Sequence, residues 1–230
     1  MADRWEALAQ ADAEFYICTE LSKGEDFFAS GERDAEHILS IVGTYVGEWK
    51  TALEIGCGVG RLTLPISRRF ERITAVDIAP TMLRKLDENC RARGVNIVTS
   101  MLAGERWELG GPVDLCYSRI VFQHIEPWSV ITDYFKRIAA CLTVGGVFYV
   151  QFDTRPFDVL YQIKNSLPDI VLPRTKQRGV RRIRRTAAEI QELARASGLE
   201  CMDERGAGTF DTEFVFQRSA LVGNVAAARE

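Results

Sequence analysis

Paired cysteines, metal-ligand spacings, long apolar runs and a charge excess are all missing from this 230-residue chain, and each absence closes off a class of function. Cys18, Cys57, Cys90, Cys116, Cys141 and Cys201 fall singly, with no Cys-x-x-Cys pair. That signals neither zinc ligation nor a disulfide framework and fits reduced thiols in a cytoplasmic protein. The longest apolar stretch, Val144 to Phe152, has the length of a strand, and Met1-Ala2-Asp3-Arg4-Trp5-Glu6 lacks a basic start leading into an apolar core. Neither a membrane span nor secretion is therefore expected. A formal charge of −3 with 27% charged residues argues against a protein held to nucleic acid by its overall field. Repeats, low-complexity tracts and a Gly-x-x-x-x-Gly-Lys phosphate loop are also absent. The length suits one α/β core with decoration.

What is present centres on Leu53-Glu54-Ile55-Gly56-Cys57-Gly58-Val59-Gly60-Arg61-Leu62-Thr63. Apolar residues around Glu54 lead into three alternating glycines and then an amphipathic run, the pattern of buried strand, tight turn and helix start. Glycines serve where backbone takes positive φ or approaches a ligand closely, and the first N–H groups of the following helix add a positive end. A nucleotide-like cofactor suits such a turn. The dinucleotide fingerprint needs a small residue where Arg61 stands, which weakens a pyrophosphate site.

An acid, a residue, then Gly-x-Gly-x-Gly is the first motif of the class I S-adenosylmethionine-dependent methyltransferases, and Glu54, Gly56, Gly58 and Gly60 resemble it. Asp77 supports the resemblance, because it ends a second apolar strand about 20 residues further on, where a carboxylate can accept both ribose hydroxyl bonds. Asp77 could instead cap the helix that begins at Pro80. The resemblance implies a Rossmann-like, doubly wound, mostly parallel seven-stranded sheet, S-adenosyl-L-methionine as cofactor, and a closing antiparallel hairpin. On it, the cofactor-binding residues are Glu54, Gly56, Cys57, Gly58, Arg61, Asp77, Ile78, Met82, Met101, Leu102 and Ser118. Many members place an adenine-binding aspartate where this chain has Ser100-Met101-Leu102, so backbone at Met101 and Leu102, or Glu105, would do that work.

Along the rest of the chain, apolar spacing predicts helices over Trp5 to Glu20, Glu32 to Val46, Arg61 to Phe70, Pro80 to Arg93 and Trp128 to Leu142, with strands between them. Val144-Gly145-Gly146 reads as a turn before a strand from Val147 to Phe152. Thr186-Ala187-Ala188-Glu189 reads as a capping box opening a helix that Gly198 closes, ahead of strands over Leu199 to Glu204 and Thr212 to Arg218. The division expected is an N-terminal helical lid over 1–47, a core over 51–152, a substrate-cap insertion over 153–185 and closing elements over 186–218. Among Trp5, Phe15, Tyr16, Phe27 and Phe28, core packing competes with cation–π contact to a sulfonium, with Phe28 or Tyr16 preferred for the latter.

Arg119-Ile120-Val121-Phe122-Gln123-His124-Ile125 resembles the post-strand segment of small-molecule methyltransferases, and it lacks the Asn-Pro-Pro-Tyr-like run of many enzymes that methylate base amines. His124 is the candidate catalytic base, with a hydrogen-bonded structural role as the alternative. Arg174, Lys176, Arg178, Arg181, Arg182, Arg184 and Arg185 form a run without an acid, either recognising an anionic substrate or lying solvated. Three functions stay open: a small-molecule methyltransferase acting on oxygen or nitrogen, an RNA methyltransferase using the basic run, and a non-catalytic S-adenosylmethionine-binding protein. No metal is expected.

Overall fold

Seven strands form one sheet in the order β3-β2-β1-β4-β5-β7-β6. The computed structural model describes residues 2–17, 26–104, 107, 109–172, 177 and 180–219. β1 (Thr51–Ile55), β2 (Arg72–Asp77), β3 (Val98–Leu102), β4 (Val113–Ser118) and β5 (Leu142–Phe152) run parallel, each joined to the next through helix or loop. β7 (Thr212–Arg218) lies antiparallel between β5 and β6 (Leu199–Arg205). The order reverses between β1 and β4, so their C-terminal ends diverge and leave a crevice, the place where open α/β sheets take ligands.

Alternation along β1 sorts its side chains between two cores. Leu53 and Ile55 join a cluster with α5 (Trp128–Cys141) and α7 (Ala187–Ala196), in which Phe122, Phe135, Phe148, Phe152, Phe214 and Phe216 meet at ring-centroid distances of 5.3 to 6.4 Å. Ala52 faces the opposite layer, where Ile38, Ile41 and Val42 of α2 (Phe27–Val42) pack on Tyr117, Tyr149 and Val215. Edge-to-face aromatic contacts add to burial itself, roughly 0.5–1.5 kcal/mol per pair. α4 (Pro80–Ala92) starts on Pro80, whose missing N–H costs nothing in the first turn. The capping box at the start of α7 is present, with Thr186 and Glu189 bonded reciprocally.

Several boundaries differ from the sequence reading. α2 begins at Phe27 rather than Glu32, because the Asp26 side chain accepts the N–H of Ala29 at 2.7 Å and so caps the helix early. Gly31 therefore sits inside the helix. A Cβ there would lie 2.2 Å from the carbonyl oxygen of Arg61, so this glycine permits a close crossing instead of marking a stop. The helix expected over Arg61 to Phe70 contracts to α3 (Thr63–Ile66) and a 3-10 turn over Ser67–Arg69. Val144-Gly145-Gly146 belongs to β5, which starts at Leu142; positive φ at Gly145 lies beside a register shift against β4. α1 (Ala2–Ile17) breaks at Asp12, whose backbone is extended, and residues 18–20 of its expected range lie outside the described residues. A further helix, α6 (Val159–Ser166), stands in the 153–185 segment. No helix among the described residues is long and apolar enough to cross a membrane.

Candidate cofactor crevice

At the divergence of β1 and β4 lies a cavity of about 350 Å³. Its first wall is the glycine turn, which is stitched to the neighbouring strand: the N–H groups of Gly56 and Cys57 both donate to the carbonyl of Val76, at 2.7 and 3.1 Å. Gly56 has φ 76°, and a Cβ on it would stand 2.3 Å from Val121 Cγ2, so a side chain is excluded by both backbone and space. Asp77 closes the turn from β2. One carboxylate oxygen accepts the N–H of Gly58 at 2.9 Å and the other that of Ala79 at 2.9 Å. With about four acceptor sites on its two oxygens, the carboxylate keeps capacity for a ligand. Burial raises the Asp77 pKa, while the N–H bonds from Ala79, Gly58 and Ile78 oppose that rise.

Glu54 is fully enclosed beneath this turn. Its Oε2 accepts bonds from the hydroxyls of Thr63 at 2.5 Å and Tyr117 at 2.9 Å. Burial pushes its pKa up to about 7, against the pull of those two bonds and of Arg61. The folded protein thus holds a proton on Glu54 that the unfolded chain releases near pH 4.5. The associated stability is full below about pH 4.5 and declines until about pH 7. Glu54→Gln should accordingly gain on the parent protein by up to about 3 kcal/mol between pH 4.5 and 8. Urea unfolding at both ends of that range measures it, and an equal difference at the two ends would refute the shift.

The opposite wall comes from the segment after β4 and from α5. Val121, Ile125, Pro127, Val130 and Tyr134 line it, with Arg119 and Ile120 at its head. Ile120 has φ 61°, the one positive value on a non-glycine residue among the described residues, and its N–H donates to Gln151 Oε1 at 3.0 Å. A β-branched residue in that conformation is strained and is held there by its surroundings. Trp5 and Ile17 of α1 close the cavity from above; Ile17 Cδ1 lies 2.7 Å from where a Cβ of Gly58 would be.

His124 lines the same wall. Its Nδ1 lies 3.3 Å from the carbonyl oxygen of Arg181, its Nε2 lies 3.4 Å from Gln123 Nε2, and its ring meets Trp5 edge-on at 5.7 Å. Burial lowers its pKa to about 4 despite the carbonyl acceptors of Arg181 and Val180. The imidazole is therefore neutral near pH 7, with Nδ1–H as donor to Arg181 by assignment from the bonding pattern.

Of the residues expected to bind a cofactor, Glu54, Gly56, Cys57, Gly58, Arg61, Asp77, Ile78 and Met82 all line the cavity. Met101, Leu102 and Ser118 do not. The Ser118 hydroxyl donates to the carbonyl of Ile55 at 2.8 Å and ties β4 to β1, Met101 packs on the large aromatic core, and Leu102 is exposed. Ala103 takes the place at the end of β3, its N–H bonded to the Asp77 carbonyl at 2.7 Å, and Glu105 lies outside the described residues. Trp5 is the N-terminal aromatic on the cavity; Tyr16 pairs with Phe15 and Phe28 lies under Arg93. Tyr134 and Val130 carried no signal in the sequence, because α5 reads only as an amphipathic helix.

Within the basic run, Arg181 and Arg184 are committed to protein acceptors, to Asn165, Glu126 and Asp158, and Arg185 donates to the carbonyl of Glu126. Arg182 lies over the ring of Phe210. None of these four lines the cavity, and Arg174, Lys176 and Arg178 lie outside the described residues.

A family model described as a methyltransferase domain matches residues 52–146, the stretch that supplies the glycine turn, Asp77 and the segment after β4. That stretch is therefore similar to a methyltransferase domain. The fold agrees: a magnesium protoporphyrin IX methyltransferase from Synechocystis PCC 6803, solved with bound SAH, superposes with a TM-score of 0.68 at 16% identity, covering 94% of this chain and 97% of that one. A ubiquinone biosynthesis O-methyltransferase from a Methylobacterium species is 29% identical over 106 residues, which are 43% of this chain and 39% of that protein. A tRNA/tmRNA (uracil-C(5))-methyltransferase from Neisseria meningitidis is 39% identical over 56 residues, 24% of this chain and 16% of that protein. The matches thus span about two fifths or less of these curated relatives. No cluster of His, Cys, Asp or Glu among the described residues could hold a metal ion.

Proposed function

We propose that the protein binds S-adenosyl-L-methionine in the β1–β4 crevice and transfers its methyl group to an oxygen or nitrogen of a small-molecule acceptor. The observation that carries this reading is the cavity itself, lined on one side by the glycine turn and Asp77 and on the other by apolar residues after β4. The residues present suit such a molecule. Asp77 keeps lone pairs at the rim for ribose hydroxyls, Met82 and Ile78 offer an apolar bed for a purine, and Gly56 and Gly58 leave backbone bare where an amino-acid end would lie.

When bound, the sulfonium supplies an already activated methyl group, so alignment and dryness are the protein's main tasks. Val121, Ile125, Val130 and Tyr134 exclude water from the acceptor side, and the rigid Ile120 turn fixes where that wall stands. Trp5 and Ile17 close the entrance, which fits the 1–47 segment as a lid over a single methyltransferase unit, with 153–185 as its cap.

His124 takes the proton that a hydroxyl or ammonium acceptor must lose. Being neutral, it can accept at Nε2 once the 3.4 Å contact from Gln123 Nε2 gives way, and with a pKa near 4 it does so only as the acceptor acidifies on bond formation. His124→Ala should lower kcat by about tenfold to a hundredfold, within the range of general-base effects. The parent protein should show no loss of kcat/KM from histidine protonation between pH 5.5 and 8, since that limb lies near pH 4. A limb near pH 6.5 that vanishes in His124→Ala would contradict this.

Isothermal titration with S-adenosylmethionine, S-adenosylhomocysteine and NADH tests the cofactor assignment. Heat from the first two alone is expected, and binding of NADH alone would overturn it. Radiolabelled methyl transfer to phenolic, carboxylic and amine acceptors then distinguishes an enzyme from a cofactor-binding protein without turnover.

A further inference from the structure

Two enclosed amides stand behind the wall to which His124 belongs. Gln151 of β5 is 2% exposed and Gln123 is wholly buried, and neither lines the cavity. Buried polar groups are held by hydrogen bonds, and the oxygen and nitrogen ends of an amide are told apart by the partners each meets. For Gln151 the backbone decides. The Ile120 N–H can only donate, and it meets Oε1 at 3.0 Å; the Phe210 carbonyl can only accept, and it takes a hydrogen from Nε2 at 2.7 Å. The side chain therefore has one orientation.

Its second Nε2 hydrogen then has a fixed direction as well, toward Gln123 Oε1 at 3.2 Å. That bond occupies the oxygen end of Gln123 and turns the other end to the histidine, with Gln123 Nε2 lying 3.4 Å from the imidazole Nε2. An amide nitrogen only donates, so the ring nitrogen opposite must present a lone pair. The proton of the neutral imidazole thus belongs on Nδ1, where the Arg181 carbonyl lies 3.3 Å away to accept it. The line of donors begins at two backbone groups in separate loops and ends on one ring nitrogen, and both amides that carry it are buried.

We infer that Gln151 is a positioning residue for His124: acting through Gln123, it keeps the histidine's proton on Nδ1 and leaves Nε2 without one. The use of that bare nitrogen as a base rests on the proposed function, whereas the placement of the proton does not. At 3.4 Å the last link is longer than an ordinary N–H bond of about 2.7–3.2 Å, so it orients the ring and still yields Nε2 to an acceptor's proton. Gln151 also holds the N–H of Ile120 in the positive-φ turn, so one side chain sets both where the wall stands and which nitrogen of its histidine is bare.

Nitrogen-15 spectra of the histidine rings at pH 7 test this. The chain holds two histidines, His37 and His124, and the signals missing from His124→Ala belong to His124. The parent protein should show a protonated, pyrrole-type Nδ1 and a pyridine-type Nε2. Gln151→Glu keeps the shape and the acceptor for Ile120, but a carboxyl group has at most one hydrogen, which the Phe210 carbonyl claims. Gln123 must then turn its Nε2 to the new side chain and its Oε1 to the ring, so Nε2 of His124 should gain a proton and become pyrrole-type. With the base so blocked, kcat for methyl transfer should fall by about tenfold to a hundredfold, as in His124→Ala, while the affinity for S-adenosylhomocysteine stays within about threefold of the parent. Should Gln151→Glu not fold, Gln151→Met reads the same link without a carboxyl group, by a shift of the Nε2 signal away from its parental position. A proton on Nε2 in the parent, or parental His124 signals in the Gln151 variant, overturns the assignment. A parent protein that transfers no methyl group removes the proposed function instead, since the ring signals are read without turnover.

Discussion

Asp77→Ala should weaken S-adenosylmethionine binding by tenfold or more, about 1–3 kcal/mol for the loss of charge-assisted bonds to a sugar. Two effects add in that variant. The carboxylate no longer meets the ligand, and the N–H groups of Gly58 and Ala79, now bonded to its two oxygens at 2.9 Å, lose their acceptor. Asp77→Asn separates them, because an amide retains one acceptor oxygen for the turn but carries no charge. Titration calorimetry on both should place Asn between the parent protein and Ala. An unchanged dissociation constant in Asp77→Ala would remove the ribose assignment.

Arg119→Met should cost about 3–5 kcal/mol of stability, the penalty for stranding buried charges when one partner is deleted. The guanidinium is only 10% exposed and binds Asp211 and Glu213 at 2.9 Å each, with Asp34 at 3.5 Å and the Tyr149 hydroxyl at 3.1 Å. Asp34 also holds Arg61 at 2.7 Å, and Glu213 also holds His37 at 2.9 Å and the Tyr149 hydroxyl. Three carboxylates from α2, the 206–211 turn and β7 thus converge on one cation at the head of the crevice. For a chain of this size the melting temperature should fall by about 6 to 20 °C. Scanning calorimetry reads the drop, and a loss below about 1 kcal/mol would mean that the carboxylates relax into water.

Features written in local chemistry were legible beforehand. Alternating apolar runs and helical periods gave the βα succession, Thr186 and Glu189 announced their cap, and the acid-glycine turn with Asp77 located the crevice. Features depending on distant partners were not. Gly31 shows no sign of a close crossing until Arg61 is seen beside it, and Glu54 shows nothing of its raised pKa until the fold buries it. Tyr134 reaches the cavity only because α5 packs under the segment after β4, and Arg119 reads as one more loop arginine until four elements meet around it. Ser118 stands off the cavity for a related reason, since a hydroxyl at a strand end can serve a ligand or a neighbouring strand, and here it donates to the Ile55 carbonyl.

The place of β7 governs how the molecule can be made. It pairs with both β5 and β6 through two antiparallel ladders, yet among the described residues it is the last strand in the chain order. During synthesis, β5 must wait with one hydrogen-bonding edge bare and Phe148 and Phe152 short of their partners Phe214 and Phe216 until residues 212–218 leave the ribosome. Nascent chains halted before that point present an unpaired edge beside aromatic surface, the template for intermolecular association, so premature stops between β6 and β7 should yield aggregates instead of smaller soluble domains.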